Sequence, residues 1–260
     1  GNQYGVNLSG SGHVFENCLA ATNSTLAFSG GGSGYNQWRN GVMWGSPIII
    51  QAGSNTLSVS NSILGGTNLE TTVLFGSHVV PGDHNVVWNT GVGLTYASFA
   101  DFQNADLGLG WTNSLYADPR FANPSGNDYH LRSTTGRYNP STGLFVTDST
   151  HSPAIDFGDP AVPVGEETDP NGGRINAGMH GGTAEASQSR TNAWVQVMNY
   201  MDGGTLDTQM GGWLRWNGGN FEPGATVTLW LSRDDGISWT QVLASGIPAE
   251  DGAYFYQNTD

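Results

Sequence analysis

The sequence contains no lysine, one cysteine and no long apolar run, and each absence removes a class of function. All eight basic residues are Arg, against 22 acidic ones, for a formal net charge of -14. A nucleic-acid binder needs clusters of Lys or Arg to displace counterions. Only Arg39 lies within residues 1–92, so nucleic acid is not an expected partner. Acidic glycans are disfavoured for the same reason, unless a divalent cation bridges the like charges. Cys18 has no second cysteine to pair with and no His at a recognisable spacing, so it reads as a small buried residue rather than a nucleophile. No stretch approaches the ~18 apolar residues of a membrane span, and no direct membrane insertion is expected. Residues 1–20 lack the basic start and apolar run of a signal peptide, so Gly1 reads as a processed or excised start.

What the chain does contain is turn-forming residues and a repeat. Its 39 Gly, abundant Asn, Ser and Thr, and only 12% charged residues describe many short turns and an all-β architecture. Aligning on Asn17, Asn40, Asn61 and Asn85 gives intervals of 23, 21 and 24 residues. Two positions after each Asn stand Leu19, Val42, Ile63 and Val87; two before stand Phe15, Trp38 and Val59. A further apolar strand follows around Leu26, Ile49 and Leu74. Three short strands per repeat is the arithmetic of a parallel β-helix, in which alternate side chains point inward and successive coils bury a continuous core. The Asn residues suit tight left-handed bends, and stacked amides can satisfy one another, so Asn17, Asn40, Asn61 and Asn85 are expected to form a structural ladder.

From about residue 92 the repeat fades and acidic residues accumulate: three in residues 1–92, eleven in 93–190 and eight in 191–260. The motifs Asp118-Pro119-Arg120-Phe121, Asp128-Tyr129-His130-Leu131, Ser152-Pro153-Ala154-Ile155-Asp156, Asn171-Gly172-Gly173-Arg174 and Gly181-Gly182-Thr183-Ala184-Glu185-Ala186-Ser187 follow in that order. This series resembles the block that ends many secreted bacterial right-handed β-helix repeat proteins of the pectate-lyase-like superfamily. With the repeats, the resemblance covers roughly residues 10–190. His180 stands where that family usually has an aromatic residue. The resemblance implies a right-handed fold and an extracellular or cell-surface setting, and no particular activity, since its members differ widely.

Residues 187–192 read as a linker into a third segment of alternating strands. Within it Ser232-Arg233-Asp234-Asp235-Gly236-Ile237-Ser238-Trp239 resembles the Asp box of sialidase-type propellers and some immunoglobulin-like modules. There Asp and Ser bind turn amides and the Trp packs beneath the hairpin. About 70 residues cannot supply a propeller, so a partial immunoglobulin-like sandwich is expected. The expected division is 1–92 parallel β-helix, 93–190 capping block and 191–260 partial β-sandwich. The first repeat has no cap sequence before it, and the last segment shows some five strands where such a sandwich usually has seven in ~100 residues. Either a longer parent chain or a neighbouring subunit, stacked head to tail or donating a strand, is expected to cover these ends.

Residues fit for chemistry are few. Besides Cys18 and the tyrosines, the titratable groups of residues 1–92 are Glu16, Glu70, Asp83, Arg39, His13, His78 and His84. No close Asp pair appears there, and a lysine base is excluded, which leaves Arg39 as the one candidate for an Arg-based lyase mechanism. Trp38, Trp44 and Trp88 near the repeated corners would line a glycan track if they face outward and are core if they face inward. Asp156, Asp159, Asp169 and Asn171 lie on irregular chain and offer oxygen ligands of the kind Ca²⁺ takes, although turns of this composition need no ion. The expectation is an extracellular or cell-surface scaffold whose partners are other protein chains or polysaccharide. The alternative is a fragment of a polysaccharide lyase or glycoside hydrolase whose catalytic coils precede Gly1.

Overall fold

The structure, a computed structural model, describes residues 2–31, 34–46, 48–52, 55–66, 82–89, 113–198, 210–234 and 236–257. Glu70, Leu74 and His78 lie outside these described residues. The protein is all-β, and its only helices among the described residues are two three-residue 3-10 turns. Among the described residues no helix is long and apolar enough to cross a membrane.

The N-terminal strands follow one another in sets of three. They are β1 (Tyr4–Ser9), β2 (Val14–Glu16) and β3 (Leu19–Ala21); β4 (Leu26–Gly31), β5 (Gly34–Arg39) and β6 (Val42–Ser46); β7 (Ile48–Ala52), β8 (Asn55–Ser60) and β9 (Ile63–Gly66); then β10 (Gly82–Asp83), β11 (Val86–Asn89) and β12 (Leu115–Tyr116). The first three sets each give one strand to three parallel sheets, ordered β1-β4-β7, β10-β8-β5-β2 and β12-β11-β9-β6-β3, whereas of the last set β10 joins the second sheet and β11 and β12 both join the third. Parallel pairing needs long connections, and the two intervening strands of each repeat provide them. Register places Phe15 beside Trp38 and Trp38 beside Val59, as the repeat predicts. It places Leu26 beside Ile48, one residue before the Ile49 that the repeat suggests.

The third sheet sorts its apolar residues onto two faces, as the period of two in a strand requires. Ala20, Met43, Leu64 and Val87 align in one column and pack with Phe28, Trp38, Leu57 and Val59 in one core cluster. Leu19, Val42, Ile63, Val86 and Leu115 align in the adjacent column on the opposite face. Val86, not Val87, therefore continues the column of Leu19, Val42 and Ile63.

That second face is covered from the side by residues 117–190. Val42, Ile63, Val86 and Leu115 form a second core with Phe121, Tyr129, Leu131, Ala154, Ile155, Phe157 and Ala177. The block is mostly irregular, with two hairpins: β13 (Phe121–Asn123) with β14 (Asp128–Leu131), and β15 (Arg137–Asn139) with β16 (Leu144–Val146). Its motif residues hold this irregular backbone. Ser152 Oγ donates to Pro119 O at 2.6 Å, Arg120 Nη1 to His151 O at 2.9 Å, and Arg137 grips Asp148 through Nε and Nη2 at 3.0 and 3.3 Å.

The bends explain why Asn recurs. Asn17, Asn40 and Asn61 have φ of 52°, 46° and 50°, in the left-handed region that Asn tolerates better than most residues. The fourth bend holds His84 at φ 54°, so Asn85 sits one position beyond it. Nor do the bend amides bond to one another among the described residues. Asn17 Nδ2 donates to Met179 O and Gly181 O at 2.9 and 2.8 Å, and Asn61 Oδ1 accepts from Asp159 N at 2.7 Å. A side chain on a left-handed bend points away from the strands it joins, and here it meets the block. The polar ladder lies one residue later: Gly41 N donates to Ser62 Oγ, Ser62 N to Asn85 Oδ1 and Asn85 N to Ser114 Oγ, at 3.1, 3.0 and 3.1 Å.

The C-terminal segment forms two antiparallel sheets. β17 (Trp194–Val197), β18 (Gly212–Gly219) and β21 (Ala253–Tyr256) make one, and β19 (Thr226–Leu231) and β20 (Gln241–Pro248) the other. Between β19 and β20, Asp234 accepts from Ser232 Oγ, Ser238 N and Ser238 Oγ, and these bonds hold its carboxyl below the usual range. Trp239 lies beside this turn, its Cζ2 3.7 Å from where a Cβ on Gly236 would sit, but at 57% exposure it is not enclosed beneath the hairpin.

Candidate functional site

The fold disperses most of the residues singled out from the sequence. Trp38 is fully buried, its ring 5.8 Å from Phe15 and 6.3 Å from Phe28, so it offers no face to a sugar. Trp44 is half-buried, edge-on to Phe121 at 4.9 Å, and its ring lies over Gly65, where any Cβ would sit 2.1 Å from Trp44 Cζ3. Trp88 is half-buried and packs on Tyr116 at 5.1 Å. Arg39 is on the surface, with Nη2 3.6 Å from Glu16 Oε2, its one ion-pair partner among the described residues. Cys18 packs against the first core, with Sγ 3.2 Å from Glu16 O.

The proposed oxygen ligands do not converge on a common point. Asp156 is buried and accepts from Ser189 Oγ at 2.6 Å; Asp159 Oδ1 accepts from Ala161 N at 2.8 Å; Asn171 Oδ1 accepts from Gly173 N at 3.1 Å. Asp169 contributes its carbonyl to Gln188 Nε2 at 2.7 Å. Asp159 and Asn171 serve their own turns, whereas Asp156 and Asp169 tie their segments to Ser189 and Gln188.

Two buried carboxyls carry large shifts and structural duties. Glu167 Oε1 accepts from the backbone N–H of Asn176 and Gly182 at 2.8 and 2.9 Å, and burial raises its pKa to about 7. Burial likewise raises Asp156 to about 6. The fold favours the protonated form of both, so their contribution to stability is full below about pH 4 and is lost as pH rises through 6 to 7. His151 and His180, lowered by burial to about 4, act in the opposite sense, costing stability as pH falls from 6.5 toward 4. Glu167→Gln removes one leg of this opposition. Relative to the native chain, the variant is expected to gain up to about 3 kcal/mol at pH 8 compared with pH 4, read from urea midpoints at the two values.

A cavity of about 380 Å³ opens where the three parts of the chain meet. The parallel sheets contribute His84 and Asn113, the block contributes Arg174, and the C-terminal segment contributes Arg215, Asn217, Glu250 and Asp251. Arg174 is fixed from behind: Nε donates to Gly158 O, Nη2 to Phe157 O and Nη1 to Asn217 Oδ1. Burial lowers the pKa of His84, which therefore faces the cavity as a neutral imidazole near neutral pH. Arg215 and Asn217 share a face of β18 with Trp213, which pairs with Phe255 on β21. Those two rings are 50% and 44% exposed and meet edge to face at 5.4 Å, and the guanidinium of Arg215, which lines the cavity, lies 5.9 Å from the Trp213 ring.

A second constellation lies on the block. His130 on β14, His180 in the turn after Gly178, and Glu185 bring two imidazoles and a carboxylate together. Sequence reasoning had both histidines within its motifs and did not connect them. The one available signal was His180 itself, at a position where the resembling family usually has an aromatic residue.

The family described as disaggregatase related matches residues 55–158, less than half of the chain, spanning the last repeats and the first part of the block. No curated protein and no solved structure matches the chain. The chain is thus similar over residues 55–158 to disaggregatase-related proteins.

Proposed function

We propose that this chain is an extracellular glycan-binding scaffold: a right-handed parallel β-helix flanked by a C-terminal block and a partial immunoglobulin-like sandwich. The three parallel sheets, each taking every third strand over β1 to β9, support the β-helix reading. The glycan reading rests on one observation, the polar cavity whose Arg215 lies against the exposed Trp213–Phe255 pair. Sugar rings stack on exposed aromatic faces while Arg, Asn and carboxylate groups take up hydroxyl hydrogen bonds. A net charge of -14 favours a neutral polysaccharide over an acidic one. The description disaggregatase related supports a role at material that holds an aggregate together.

The test is affinity electrophoresis of the full chain in gels containing neutral polysaccharides of defined composition. Retardation in at least one gel is expected, with Trp213→Ala removing most of it and Val14→Ala, on an exposed edge remote in sequence, leaving it unchanged. Migration of the native chain unaltered in every gel would reject the reading. A second reading, a polysaccharide hydrolase or lyase, is favoured by His84, Arg174, Glu250 and Asp251 around one cavity. It predicts new reducing ends or unsaturated products from the retarding polysaccharide, lost in Glu250→Gln; retardation without product supports the scaffold.

A further inference from the structure

His130 and His180 stack with ring centroids 3.7 Å apart and planes 17° from parallel. Glu185 Oε2 lies 3.5 Å from His130 Nε2 and 3.5 Å from His180 Nδ1. All three candidate ligand atoms fall within 4.8 Å of one another. The His130 side chain is 5% exposed, and its Nδ1 is 2.7 Å from Asp128 Oδ1. That contact assigns the proton to Nδ1 and leaves Nε2 as a bare lone pair. Nε2 is buried and has no hydrogen-bond partner. A buried polar atom without a partner costs about 1–3 kcal/mol, and native structures seldom leave one without a reason.

We infer that His130 Nε2, His180 Nδ1 and Glu185 Oε2 bind one divalent transition-metal ion of the zinc class. Two imidazole nitrogens and one carboxylate oxygen suit Zn²⁺ rather than Ca²⁺, which takes oxygen ligands. Tetrahedral bonds of about 2.0–2.1 Å place donor atoms roughly 3.3–3.5 Å apart, the size of the separation between His130 Nε2 and Glu185 Oε2; the stacked rings aim their in-plane lone pairs side by side, so His180 turns out of the stack to bring Nδ1 onto the same ion. The carboxylate of Asp128 behind His130 is the outer-shell partner that metal-binding histidines ordinarily have. The Glu185 side chain is 48% exposed, which leaves a path for the ion and room for water at the fourth position.

The site is also held in place. Asn17 Nδ2 binds the carbonyls of Met179 and Gly181, on either side of His180. Thr183 Oγ1 donates to His180 O at 2.7 Å, and Glu167 fixes Gly182 N. A bend of the repeat thereby positions a ligand on the block. The arrangement is independent of the glycan cavity and of whether that cavity binds anything.

Isothermal titration of the full chain with ZnCl₂ after EDTA treatment and dialysis tests this directly. One Zn²⁺ per chain is expected. His180→Phe keeps a ring stacked on His130 and Glu185→Gln keeps the side-chain shape, and each is expected to weaken binding by at least about tenfold. Asp128→Asn is expected to weaken it by about 10–100-fold. Co²⁺ gives a second readout: a visible absorption band of tetrahedral type in the native chain, absent in His180→Phe. If His180→Phe fails to fold by circular dichroism, the surface variant Glu185→Gln decides alone. No stoichiometric binding by the native chain, or binding undiminished in folded variants, overturns the site.

Discussion

Trp38→Ala is expected to lower the unfolding free energy by about 3 kcal/mol, toward the lower end of the ~3–5 kcal/mol range for buried aromatic truncations. Trp38 is fully buried, stacked on Phe15 and met edge-on by Phe28. Its column runs from Phe15 through Trp38 to Val59, with parallel pairing on both sides, so the strands cannot close over the space it leaves. Gly41 shows how tight the site is, since a Cβ there would lie 2.1 Å from Trp38 Nε1. One term offsets the loss: Nε1 is buried without a partner, and removing it relieves an unpaid desolvation of about 1–3 kcal/mol. Urea midpoints measure the difference, and a loss below about 1 kcal/mol would mean that Trp38 is not enclosed as described.

Ile63→Ala is expected to cost about 2–5 kcal/mol, for a different reason. Ile63 faces out of the third sheet, is fully buried, and lies between that sheet and the block. Gly178, at φ 100°, comes close enough that a Cβ there would be 2.8 Å from Ile63 Cδ1. Truncation therefore opens a cavity in the interface and loosens the block with it. Leu19→Ala is the internal control. It occupies the same column, yet Leu19 is 39% exposed, and its truncation is expected to cost under about 1 kcal/mol. Equal effects at the two positions would show that the block does not cover the column where the structure places it.

The strand count per repeat, the Phe15–Trp38–Val59 column and the left-handed bends at Asn17, Asn40 and Asn61 were legible because each follows from local pattern. Period-two alternation marks strands, and Asn tolerates positive φ. The last bend was misread by one residue because His84 adopts the left-handed conformation while Asn85, more typical of it, stands next in sequence and takes the ladder position. The direction of the bend amides was not legible either. Nothing local tells Asn17 that Met179 and Gly181 lie beside it, 162 and 164 residues away. The same limit hid the faces of the third sheet: a strand apolar on both sides, such as Ile63-Leu64, announces burial twice but not by what. The acidic loop from Asp156 to Asn171 resembled an ion site because turn chemistry and Ca²⁺ chemistry draw on the same side chains. The paired histidines come from two motifs 50 residues apart in sequence, and only the fold brings their rings together.

The central claim is that the repeats and the block fold as one unit across the face of Val42, Ile63 and Val86. Hydrogen exchange of the full chain, native against Ile63→Ala, tests it most directly. The account predicts that amides of β6, β9 and β11 and those of residues 154–158 and 175–182 are slowed together in the native chain. In the variant both groups should accelerate together, while β19 and β20 keep their native rates. Acceleration confined to the strands, with residues 154–158 and 175–182 unchanged, would contradict it.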